Sequence, residues 1–64
     1  MFKWIDLISE KHIGNHDVYL IQYYDTINDI EFYGVTVDCE IQFKGTKNGA
    51  EGAWRNWIRA LGKR

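Results

Sequence analysis

Few side chains in this sequence are equipped for chemistry. His12 and His16 stand four residues apart, with Asp17 adjacent and Cys39 farther along. That is the spacing of a helical metal pair, but a closed zinc site takes four ligands and a second cysteine is missing. If the two histidines flank a hairpin turn, the four-residue spacing loses its meaning and both read as surface residues. Cys39 as a nucleophile would need an accessible, electropositive setting that favours the thiolate. It lies instead between Asp38 and Glu40 in an alternating apolar pattern, which reads as a small buried hydrophobe. Asp38 and Glu40 share a strand face, yet nothing around them suggests a cleft, and an active-site pocket would consume much of the core of so short a chain. There is no glycine-rich phosphate loop, no G-x-S-x-G and no H-E-x-x-H. The expectation is a non-enzymatic protein with no catalytic residue, metal or cofactor.

The elements that position these residues come from periodicity. Val35, Val37, Cys39, Ile41 and Phe43 alternate with Thr36, Asp38, Glu40, Gln42 and Lys44. Period two predicts one long half-buried strand, its apolar face covered and its charged face open. Ile30–Tyr33 extends it upstream, with Gly34 as a bulge or bend. Asp17–Tyr24 is rich in β-branched and aromatic residues and predicts a second strand. Asp25-Thr26-Ile27-Asn28-Asp29 between them has turn composition, giving an antiparallel hairpin. Residues 2–13 fit a strand or a helix; the Gly14-Asn15-His16 stretch after them resembles a hairpin turn and favours the strand. Near the C-terminus Trp54, Trp57, Ile58 and Leu61 fall on one stripe of an amphipathic helix, with Glu51, Arg55 and Arg59 on another face. Asn48 is the expected N-cap and Gly62 the expected stop.

Together these predict an α+β fold for the single domain 1–64, a three-stranded antiparallel meander with the C-terminal helix packed on one face. The helix stripe should cover Val37, Cys39, Ile41 and Phe43. Charge is divided along the chain: residues 1–42 hold eight acids and two bases, residues 43–64 six bases and one acid. The acids Glu31, Asp38 and Glu40 are expected on the outward sheet surface, contributing nothing to folding. The basic helix face carries Lys47, Arg55, Arg59, Lys63 and Arg64. This inferred topology resembles the amino-terminal DNA-binding modules of some tyrosine-type integrases, which would imply major-groove reading by the sheet. The outward acids here would repel phosphates, so a nucleic-acid role would fall to the helix.

The surplus of aromatics points elsewhere. Tyr19, Tyr23, Tyr24, Phe32 and Tyr33 cluster on one hairpin, and the second strand is apolar on both faces. A sheet with one helix buries one face, so rings are left for a partner. The expected function is a small protein-binding module, an inhibitor or adaptor of the kind common in phages and mobile elements, using Tyr19, Tyr23, Tyr24, Glu31, Tyr33, Asp38 and Glu40. Its acidic surface would mimic nucleic-acid phosphate against a basic groove. The alternative is a nucleic-acid-binding accessory protein using the basic helix. A homodimer through a sheet edge or face, with Tyr19, Tyr23 and Tyr33 at the contact, would satisfy the same surplus. A lone cysteine, no signal-like N-terminus and no apolar run long enough for a bilayer predict a cytoplasmic protein without a membrane partner.

Overall fold

The computed structural model describes residues 1–63, so Arg64 of the expected basic face lies outside the described residues. The order is β1 (Phe2–Ile13), β2 (His16–Asp25), β3 (Ile30–Val37), β4 (Glu40–Gly45) and α1 (Lys47–Gly62). The fold is α+β as expected: an antiparallel meander with the C-terminal helix packed on it. It has four strands in the order β1-β2-β3-β4, not three.

The extra strand arises because the alternating stretch is folded in half. Asp38 and Cys39 both take positive φ, 51° and 72°, forming a two-residue hairpin turn that pairs Val37 with Glu40. Such a turn moves the alternation by one residue. A bulge farther on moves it back, because Val35 pairs with Phe43 but Thr36 pairs with Ile41. The two shifts cancel in the sequence, leaving an unbroken period that describes no single strand. Cys39 is therefore exposed at a turn, not buried. Ile41 lies on the opposite face of the sheet from Val37 and Phe43. Gly34 marks no bulge, since it pairs in register with Ile21 on one side and Lys44 on the other. A Cβ there would meet the Phe43 carbonyl oxygen at 2.8 Å and the Tyr23 ring at 3.0 Å, so the glycine admits a ring laid across the backbone.

Residues 2–13 are a strand whose mixed period also has a cause. Pairing with β2 shifts between Trp4 and Asp6 and again between Leu7 and Ser9. Two bulges rephase β1 twice, so Phe2, Trp4 and Leu7 share the face of Tyr23 and Ile21, while Ile8 packs on the helix-side core. The expected turn after β2 is present: Asp25 Oδ1 accepts from the backbone of Ile27 at 3.0 Å and Asn28 at 3.2 Å.

The helix begins one residue after Thr46, whose hydroxyl accepts from Gly49 N at 3.2 Å; Thr46, not Asn48, is the N-cap. The helix runs to Gly62. Trp54, Trp57, Ile58 and Leu61 turn inward as their spacing predicts, onto Val18, Leu20, Val35 and Val37. Of the four residues they were expected to cover, Val37 and Phe43 are on this side and Cys39 and Ile41 are not. Ala50 is fully buried in the core between helix and sheet, and the Trp54 indole donates to Val18 O at 3.3 Å.

Candidate functional site: the open face of the sheet

The helix covers one face of the sheet. The other is covered only by its own rings. Pairing sets Trp4, Tyr23 and Phe32 in one row across β1, β2 and β3, with Phe2 beside them. Tyr23 and Phe32 stack at 5.1 Å and 18°. Phe2 meets Phe32 edge-on at 5.2 Å, and Trp4 meets Tyr19 at 5.9 Å and Tyr23 at 6.4 Å, both nearly perpendicular. These are favourable ring geometries. Beneath them Ile21 and Tyr23 are buried to 0% and 2% exposure, and the Tyr23 hydroxyl shares a hydrogen bond with the buried Thr36 Oγ1. The rings thus act as a thin second layer over the sheet.

That layer is incomplete. Phe2, Trp4, Tyr19, Tyr23, Thr36, Cys39 and Ile41 border a half-open hollow of about 260 Å3. Lys44 extends its ammonium over the Phe2 ring, 5.2 Å from its centre. Sequence reasoning grouped Tyr19, Tyr23 and Phe32 on one hairpin but missed Phe2, Trp4 and Ile41 as members of the same surface. The signal for Phe2 and Trp4 was their two-residue spacing, which the bulges at Ile5 and Ile8 obscure farther along.

The other expected contact residues are dispersed. Tyr24, Glu31 and Tyr33 fall on the helix side of the sheet, where Tyr33 packs against the core, Glu31 accepts from the Gln22 amide at 3.1 Å, and the Tyr24 hydroxyl donates to Asp29. That bond, with loss of solvent and nearby carboxylates, raises the Tyr24 phenol above its ordinary value. Glu40 begins β4 at the sheet edge. Asp38 serves as a clasp. Its carboxylate accepts from Asp17 N at 3.0 Å and from His16 Nδ1 at 2.6 Å, and these bonds, His16 first, lower its pKa. The acids therefore do not form one continuous surface. On the helix, Lys47, Arg55 and Arg59 are exposed, and no ion pair among the described residues engages them.

The two histidines end in separate clusters. His12 donates from Nδ1 to Asp17 at 2.6 Å and from Nε2 to Glu10 at 3.0 Å. Two carboxylates on its two nitrogens fit the imidazolium, and these bonds, Asp17 first, raise its pKa. Among the described residues no group of three or more His, Cys, Asp or Glu side chains is arranged to hold a metal ion. No helix among them is long and apolar enough to cross a membrane. No protein-family model, curated protein or solved structure matches the chain.

Proposed function

We propose that this chain is a non-enzymatic protein-binding module that engages its partner through the open aromatic face of the sheet. One observation carries the reading: Phe2, Trp4 and Leu7 remain 40%, 55% and 39% exposed side by side on that face, although a full helix covers the other. A contiguous apolar patch of this kind, with tryptophan at its centre and polar groups at its rim, is the composition of a protein contact. Docking without chemistry is the mode of an inhibitor or adaptor. A benzophenone photo-crosslinker in place of Trp4 tests it, with the same group in place of Arg55 as the comparison. The expected result is a protein adduct from position 4 and none from position 55. No adduct from position 4, or equal adducts from both, would sink the reading.

A second reading rests on the exposed Lys47, Arg55 and Arg59, three cations that share a helix row with the single acid Glu51 and are engaged by no carboxylate among the described residues. Fluorescence anisotropy with labelled DNA and RNA discriminates it. Binding that weakens steeply with added salt and is lost in Arg55→Ala/Arg59→Ala supports it, because counterion release scales with the phosphates contacted.

A further inference from the structure

The row of rings on the open face ends in an imidazole, a group that changes charge near neutral pH. His12 stands at 87° to Tyr19 with ring centres 6.2 Å apart. Tyr19 stands at 71° to Trp4 at 5.9 Å, and Trp4 leads on to Tyr23 and Phe32. We propose that His12 is a proton-operated anchor for this row: its imidazolium fixes Tyr19 against Trp4, and its neutral form frees that corner of the open face. The bearing of the anchor on partner binding rests on the docking surface proposed above; the anchor itself does not.

The geometry demands the charged ring. His12 donates from Nδ1 to Asp17 at 2.6 Å and from Nε2 to Glu10 at 3.0 Å. A neutral imidazole has one N–H and one lone pair, so it cannot donate to both carboxylates. On losing its proton the ring turns a lone pair toward one carboxylate and gives up that bond. Strand pairing carries the change to Tyr19. On the open face His12 lies opposite Asp17, and Glu10 lies opposite Tyr19. The His12 ring bridges these two rungs, and a ring released from Glu10 is free to leave the Tyr19 rung. The two bonds, Asp17 first, raise the His12 pKa, which places the release above 6.5.

Other charged groups reach this corner from the neighbouring elements. β1 is an edge strand, so His12 faces one neighbouring strand, β2. Lys11, beside it in sequence, pairs with Val18 on the helix side. The β3–β4 turn brings Asp38 and Cys39. Asp38 accepts from His16 Nδ1 and from Asp17 N, and so steadies the backbone of the residue that receives His12. Cys39 borders the hollow with Tyr19. Loss of solvent, then Asp17, Glu10 and Cys39, raises the Tyr19 phenol above its ordinary value, which keeps it neutral while His12 titrates.

Aromatic NMR on the full chain, from about pH 5 to about pH 9 to bracket the imidazole range, tests the anchor. The His12 ring, the Tyr19 ring and the Trp4 indole should titrate with one shared midpoint, while Trp54 and Trp57 on the helix side keep their shifts. The Overhauser contact between Tyr19 and Trp4 should weaken as pH rises through that midpoint. Glu10→Gln, at an exposed site, is the deciding variant. Its amide can donate to the neutral ring and accept from the charged one, so both contacts survive in both states. His12 should then still titrate, with its midpoint lowered by loss of a carboxylate, while the Tyr19–Trp4 contact becomes independent of pH. His12→Gln should remove the response of Trp4 altogether. A Tyr19–Trp4 contact that holds steady across the wild-type titration overturns the anchor. So does one that weakens in Glu10→Gln as in the wild type, or a Trp4 response that survives His12→Gln. No partner takes part in these measurements, so the docking face stands or falls separately.

Discussion

His12 and Cys39 show how local geometry sets the properties of single side chains. Because the folded pKa of His12 is raised above 6.5, its bonds to Asp17 and Glu10 stabilise the hairpin fully below that value and are lost as pH rises through the folded pKa. The carboxylate of Asp38 works in the opposite sense. Its folded pKa lies below 3.8, so its contribution is present above that value and is lost as pH falls through the folded one. Titrating the His12 ring by NMR should give a midpoint above 6.5, and Asp17→Asn should bring it back down; an unmoved midpoint would show the bond to be unimportant in solution. Cys39 holds φ at 72° with nothing but an L side chain to place there, a backbone region costing about 1–2 kcal/mol for residues with a Cβ. Cys39→Gly creates the Asp-Gly pair favoured in this turn and should stabilise the protein by about 1 kcal/mol, read as a higher urea midpoint with the slope unchanged.

At the scale of elements, packing decides which substitutions matter. Gly34→Ala forces a methyl between the Phe43 carbonyl and the Tyr23 ring. Backbone cannot yield as a flexible side chain can, so a loss of roughly 1–3 kcal/mol is expected; an unchanged melting temperature would mean that the ring does not lie over that glycine. On the helix, Trp57→Ala removes half-buried indole from the core boundary and should cost about 2–4 kcal/mol. Arg59→Ala, at an exposed position, should cost less than about 1 kcal/mol. Equal melting temperatures for the two would contradict the helix orientation. That orientation was legible beforehand because Trp54, Trp57, Ile58 and Leu61 keep one unbroken period. The hairpin of Tyr19–Tyr24 with Phe32 was legible too, through its Asp-rich turn. The β3–β4 hairpin was not, since Asp38-Cys39 lacks the glycine or asparagine that usually marks positive φ, and a bulge restored the period the turn had broken. The clasp of Asp38 on His16 and Asp17 joins residues more than twenty positions apart, and no local pattern encodes it. As a result the two acids Asp38 and Glu40, alike in sequence, separate in role. Asp38→Asn should lower the melting temperature measurably near neutral pH while Glu40→Gln leaves it in place.

Across the whole molecule, the opposing titrations of Asp38 and His12 place maximal stability between the carboxylate and imidazole ranges. Melting temperature measured from pH 3 to pH 9 should therefore rise and then fall, and Asp38→Asn with Asp17→Asn should flatten both limbs. The layering explains how so small a chain supports two apolar sheet faces: one is closed by the helix, the other by Phe2, Trp4, Tyr19 and Phe32 lying over Ile21 and Tyr23. The strand order also governs how the chain assembles. Every neighbour in the sheet is also a neighbour in the chain, so each hairpin closes a short loop and no strand waits for a distant one to arrive. Loop-closure entropy is small at every step, and topologies of this locality cross their folding barrier fast for β-rich proteins. The contacts that span the most chain are those of the helix with the sheet, back to β2 and β1, and these should be the slowest to assemble. Trp54 and Trp57 sit at that seam and Trp4 on the far side of the sheet, so stopped-flow fluorescence of single-tryptophan variants times the closing of each face separately.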